Sequence, residues 1–176
     1  MNIGGTGDET ETIVIQHCEY LQDVYGSPDS NFHNEGWKLN PGLMENFPWL
    51  SQIAANYEEY EFIQLVFTYK ATVEVQATNN STGGTGTIIM ATNYNPVAPI
   101  FSNKETMMQY HGAQSGRIVE DHVHGVECDP ATNAGSAQKY VRTNPVILGQ
   151  DPKTFDLGTF QLAQVNIPEA FYNQQI

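Results

Sequence analysis

The chain has 176 residues, of which 40% are hydrophobic and 15% charged, so it matches one ordinary domain, long enough to bury a core without disulfide or metal staples. Seven Lys and Arg stand against 20 Asp and Glu, a formal net charge of −13, which excludes a basic-patch reading in which the chain grips nucleic acid phosphates. No window approaches the roughly 20 apolar residues of a membrane span, and Met1-Asn2-Ile3-Gly4-Gly5 lacks the basic and apolar regions of a signal peptide, so neither a membrane span nor secretion is expected.

In chain order, residues 1–11 read as a flexible N-terminal arm and residues 12–176 as a single domain. A strand is expected over 12–21, followed by a turn at Gly26-Ser27-Pro28-Asp29. Around 46–56, Pro48 near the first turn and the pairs Trp49/Ile53 and Leu50/Ala54, each four apart, predict a short helix. The strongest periodic signal lies over 60–76. There Ile63, Leu65, Phe67, Tyr69, Ala71, Val73 and Val75 share one parity, while polar side chains occupy most of the other. Alternation of period two over that length is a strand with one buried and one wetter face. Residues 79–86 form a polar, glycine-rich connection to a strand over 86–94. Ser102-Asn103-Lys104-Glu105 has the form in which a hydroxyl and a carboxylate satisfy the first free amides of a helix, with Gly112 as its stop.

Further strands are expected over 116–128, 138–148 and 156–166, with a turn cluster at 129–133. Six strand candidates and two short helices argue for a β-sandwich or barrel, since an α/β chain needs a helix after nearly every strand. No internal repeat or domain boundary is visible.

Chemistry-bearing residues are few. His122-Val123-His124 with Cys128, and His111 upstream, is the metal-like cluster, because positions 122, 124 and 128 share a face on a strand. Its spacing matches no common zinc signature, and polar histidines on a strand are the plainer reading. Cys18 and Cys128 have no second cysteine near either, so both are expected reduced and buried. Asn79-Asn80-Ser81-Thr82 fits a glycosylation sequon, an accidental match without a secretory route.

Glu58-Glu59 with Glu61, and Glu120-Asp121, are adjacent carboxylates that point to opposite faces of a strand and so need not converge. No nucleophile elbow, phosphate-cradling glycine motif or H-E-x-x-H helix is present, and no catalytic residue, cofactor or enzyme activity is expected. Calcium at subunit interfaces is the one metal expectation, with Asp23, Asp29, Asp151 and Asp156 as unranked ligands. The series Phe47, Trp49, Tyr57, Tyr60, Phe62, Phe67 and Tyr69 reads as core and interface packing before it reads as a sugar-stacking platform.

Several stretches form an ordered set. Asn40-Pro41-Gly42, the run from Phe47-Pro48-Trp49-Leu50 to Tyr60-Glu61-Phe62, and Leu65-Val66-Phe67-Thr68-Tyr69 come first. Gly86 to Pro96, His124 to Pro130, Tyr140-Val141-Arg142 and Asp156-Leu157-Gly158-Thr159-Phe160 follow. Together, over roughly residues 11–166, they resemble the coat proteins of small icosahedral viruses, above all the tombusvirus-like type also carried by circular single-stranded DNA viruses.

The resemblance implies an all-β jelly roll of two packed antiparallel sheets with two inserted helices. Its implied role is a capsid subunit that assembles with copies of itself in the virion, around a viral genome, with a host receptor as a further partner. Trp49 and Leu50 would anchor the 48–56 helix to the sandwich rim. Such proteins usually begin with a basic arm, whereas residues 1–11 hold no base and the acids Asp8, Glu9 and Glu11, so direct genome binding is not expected. They also usually continue beyond a stretch like Gln174-Gln175-Ile176. Six candidates against the eight strands of a jelly roll then suggest a domain lacking its last strand or strands, as a fragment or as a subunit completed by a partner. A carbohydrate- or receptor-binding β-sandwich module is the alternative reading.

Overall fold

The computed structural model describes residues 2–4, 12–28, 31–73, 86–129, 136–146 and 149–176. Along the chain these form β1 (Asn2–Gly4), β2 (Ile13–Val14), β3 (His33–Lys38), α1 (Leu50–Ala54), β4 (Glu59–Glu61), β5 (Leu65–Tyr69) and β6 (Thr87–Asn93). They continue with α2 (Lys104–Met108), β7 (Gln114–Arg117), β8 (His122–Val126), β9 (Lys139–Tyr140) and β10 (Thr159–Val165). Short 3-10 turns occupy Pro152–Thr154 and Glu169–Phe171. The sequon at 79–82, Asp29, Val75 and the 130–133 part of the turn cluster lie outside the described residues.

One sheet has the order β3-β10-β6-β7, all neighbours antiparallel. Its central strands are buried on both faces. The sequence explains how: in β6, Ile88 and Met90 enter the main core while Ile89 and Ala91 enter a second cluster, and in β10 Phe160 and Leu162 alternate likewise with Ala163 and Val165. The second cluster is completed by Phe101 and Met107, so the 95–113 connection and α2 form a layer over the outer face of this sheet. Apolar residues at both parities are what a strand covered on both sides requires.

Facing it, β5 pairs with β8, and β4 stands between β1 and β9 in a second ladder that ends in β2. Along 65–73 the expected parity holds: Leu65, Phe67, Tyr69, Ala71 and Val73 are wholly or partly buried, and Val66, Thr68, Lys70 and Thr72 are exposed. Ile63 breaks it, being exposed, whereas Tyr60 and Phe62 are buried. The expected single strand over 60–76 is therefore two strands whose inward phase switches between Phe62 and Leu65. Among the described residues β5 is paired on one edge alone, while β1 lies along β4 and Gln175 bridges to Tyr25.

The 116–128 strand is β7 and β8, which belong to different sheets; the connection crosses between them at buried Ile118, whose carbonyl accepts the Tyr69 hydroxyl at 2.7 Å. Among the described residues, the 12–21 and 138–148 strands shrink to β2 and β9, flanked by irregular chain. β3, with the sequence HNEGWK, carries no apolar alternation because it is an edge strand. The α2 helix is capped by Asn103, whose Oδ1 accepts the Thr106 amide at 2.8 Å, and not by Ser102. Asn103→Ala is expected to cost about 1 kcal/mol, read as a lower urea midpoint with an unchanged slope. Among the described residues no helix is long and apolar enough to cross a membrane.

Candidate functional site

The registers place two rows of side chains against each other inside the sandwich. Trp37, Phe160 and Thr92 are cross-strand partners in one sheet, and Phe67 and His124 are partners in the other. Phe160 stacks on Phe67 at a centroid distance of 3.9 Å, with Trp37 and His124 each 5.7 Å away. His124 is only 2% exposed, and its Nε2 lies 2.8 Å from Thr92 Oγ1, a hydrogen bond that joins the two sheets. Burial pushes the pKa of this imidazole down.

At one end of the sandwich a polar knot fixes the loops. Arg142 donates to both carboxylate oxygens of Asp156, Nε to Oδ1 at 2.8 Å and Nη2 to Oδ2 at 2.9 Å, and Nη1 donates to the Asn144 carbonyl at 2.8 Å. The pair is interior, with side-chain exposures of 12% and 2%. Asn40 joins three loops: Nδ2 donates to the carbonyls of Tyr140 and Phe155, and Oδ1 accepts the amides of Gly42 and Arg142. Gly42 packs so closely on the Arg142 carbonyl that a Cβ there would collide with backbone.

The Tyr60 hydroxyl donates between the carbonyls of Leu39 and Phe155, at 2.9 and 2.7 Å. Burial, reinforced by the Asp156 charge, holds its pKa well above the usual phenol value. Lys38 donates to the Pro96 carbonyl and Thr159 Oγ1, and Lys139 to the Lys153 carbonyl. Burial lowers both ammonium pKa values, against the pull of Asp156.

The metal-like residues do not converge. His122 Nε2 lies 2.7 Å from the Arg117 carbonyl, His124 faces Thr92, and the Cys128 thiol donates to the Val126 carbonyl. Among the described residues no group of three or more His, Cys, Asp or Glu side chains is placed to hold a metal ion. Both oxygens of Asp156 belong to Arg142, Asp151 accepts the Lys153 amide, and Asp23 accepts from Gln175 Nε2. Glu120 pairs with Arg117 at 3.3 Å, and Asp121 with Lys70, whose hydrogen bond lowers the Asp121 pKa.

Both cysteines are free thiols; where both were expected buried, Cys128 is part-buried and Cys18 is exposed, because the 12–21 segment is not a core strand. In the aromatic series Phe47, Tyr60, Phe62 and Tyr69 are buried. Trp49 is 41% exposed and packs against His17 with ring centroids 3.9 Å apart and the planes tilted by 31°, while Leu50 enters the core. The series is packing, not a flat platform. Apolar side chains do reach the surface on the outward face of the β5–β8 ribbon, where Val66 is 44% and Val123 57% exposed.

Sequence reasoning passed over Arg142 as a partner of Asp156, although both lie in stretches that carried the resemblance. Nothing in a separation of 14 positions announces a buried pair.

Comparison with known proteins gives a consistent result. The family described as viral coat protein (S domain) matches residues 5–166. The capsid protein of Oat chlorotic stunt virus is 30% identical over 152 residues, covering 84% of this chain and 30% of that protein. Among solved structures, Cucumber Leaf Spot Virus is similar with a TM-score of 0.72 at 23% identity, over 92% of this chain and 51% of that one. Cucumber Necrosis Virus is similar with a TM-score of 0.71 at 23% identity, over 88% of this chain and 50% of that one. The chain thus spans less than a third of that capsid protein's length and about half of those solved chains, and the structural likeness establishes the jelly-roll fold.

Proposed function

We propose that this chain, which belongs to the viral coat protein (S domain) family, is a wall subunit of an icosahedral capsid, associating with copies of itself in the virion. The observation that carries the reading is the family match over residues 5–166, with a sandwich of the same fold as solved virus shells. A shell wall needs a rigid, repeatable block whose contacts are made many times over under closed symmetry. This domain meets that need with a core continuous between two sheets, a second layer over one of them, and loops locked at one end by buried hydrogen bonds. Exposed Val66 and Val123 supply apolar surface of the kind subunit contacts cover.

The charge distribution bears on the cargo. With a net charge of −13, and with Lys38, Lys139 and Arg142 engaged by internal partners, this surface offers a genome little neutralisation. We therefore place genome contact outside the described wall.

Sedimentation velocity of the expressed protein tests the assignment: a fast, uniform boundary of particle size is expected. A monomer boundary alone, across salt, pH and calcium conditions, would remove the shell reading.

A further inference from the structure

We propose that His124 is an acid-sensitive latch between the two sheets: its neutral ring ties β8 to Thr92 of β6 across the interior, and protonation loosens the sandwich. His124 is 2% exposed, Nε2 is engaged with Thr92 Oγ1, and Nδ1 is buried with no hydrogen-bond partner. A neutral imidazole carries one N–H, whereas the cation carries two. Whichever tautomer is present at neutral pH, the protonated ring sets an N–H at Nδ1 against a wall with no acceptor, and places a charge beside Phe160 and the cross-strand Phe67. An unpaired donor and an unpaired charge are both costly in such a site.

The elements packed around it offer no compensation. β6 and β10 carry no titratable side chain. β5 carries Tyr69, whose hydroxyl is committed to the Ile118 carbonyl. On β8 itself the other titratable group is His122, bound to the Arg117 carbonyl. Beyond the strand ends, Lys70 pairs with Asp121, and Tyr94 accepts the Glu127 amide. No carboxylate among these neighbours faces the ring to stabilise a cation.

Burial depresses the pKa of His124 in the folded chain, so over the window from about 6.5 down to that depressed value the unfolded chain binds more protons. Stability is complete above the unfolded pKa and falls as pH drops through this window. The unfolding equilibrium constant then rises by up to about tenfold per pH unit from this residue alone. In an assembled shell, a consequence that rests on the capsid reading, the wall would soften in a mildly acidic compartment.

The test compares the intact protein with His124→Gln and His124→Phe by urea denaturation at about pH 7.5 and about pH 5, alongside imidazole NMR titration of the unmodified protein. The expected result is a larger acid-induced loss in the parent than in either variant, with the His124 ring titrating below the free-imidazole value of about 6.5. Equal losses in parent and variants, or a His124 ring that titrates at or above that value with both sheets intact, would overturn the proposal. If both variants fail to fold, the ring titration decides alone. A protein that never assembles but shows the differential loss upholds the latch and counts solely against the shell.

Discussion

Replacing Arg142 by alanine lowers the stability of the domain by about 3–5 kcal/mol, the range for breaking a buried ion pair from one side. The magnitude comes from what is left behind. Asp156 keeps a carboxylate with 2% side-chain exposure, stripped of the two charge-assisted hydrogen bonds at 2.8 and 2.9 Å that satisfy both oxygens. The Asn144 carbonyl also loses its donor. Arg142→Lys recovers part of the loss, because an ammonium cannot reproduce the planar two-point contact. Replacing both partners with apolar residues of similar volume costs less than the single alanine change, since it removes the desolvated charge together with its counter-charge. Urea unfolding of the four proteins checks this; an Arg142→Ala change of under about 1 kcal/mol, the ceiling for an exposed pair, would show that the knot is not closed to water.

Phe160→Ala is the second large effect, expected at about 3–5 kcal/mol. Its ring occupies the centre of the sandwich and touches both sheets, stacked at 3.9 Å on Phe67 and 5.7 Å from Trp37 and His124. Truncation leaves a cavity bounded by side chains fixed in a close-packed interior, so the site collapses poorly. Phe160→Leu costs distinctly less because it fills most of that space. Calorimetry of both variants measures the difference, and equal losses would indicate that the stacking geometry, not the volume, matters at this position.

The fold was legible where a strand's surroundings impose a pattern. β5 faces the core on one side and water on the other, and the alternation from Leu65 to Val73 reports it. β6 and β10 read as apolar strands because two layers enclose them. β3 was invisible, since an edge strand whose side chains are largely polar has no period to detect. The break between Phe62 and Leu65 was hidden because aromatic residues occupy both parities there, and only burial reveals which phase each segment obeys. For the same reason β7 and β8 read as one strand: that the chain crosses between sheets at Ile118 is a tertiary fact.

The polar interior was less legible still. His124 drew notice as part of a histidine cluster, but its lining by Phe67, Phe160 and Thr92 arises from the register of strands far apart in sequence. Asp156 stands in the sequence as one of four unranked calcium candidates, whereas its geometry is set by Arg142 across a loop. Composition identifies which residues can carry charge; packing decides which of them meet.

In the proposed role this sandwich repeats as the wall of a closed shell. Electron cryomicroscopy of the purified expressed protein tests it most directly. Uniform closed particles are expected, with an icosahedral reconstruction that accommodates the two sheets as the continuous wall. Dispersed monomers, or irregular aggregates with no symmetric reconstruction, would contradict it.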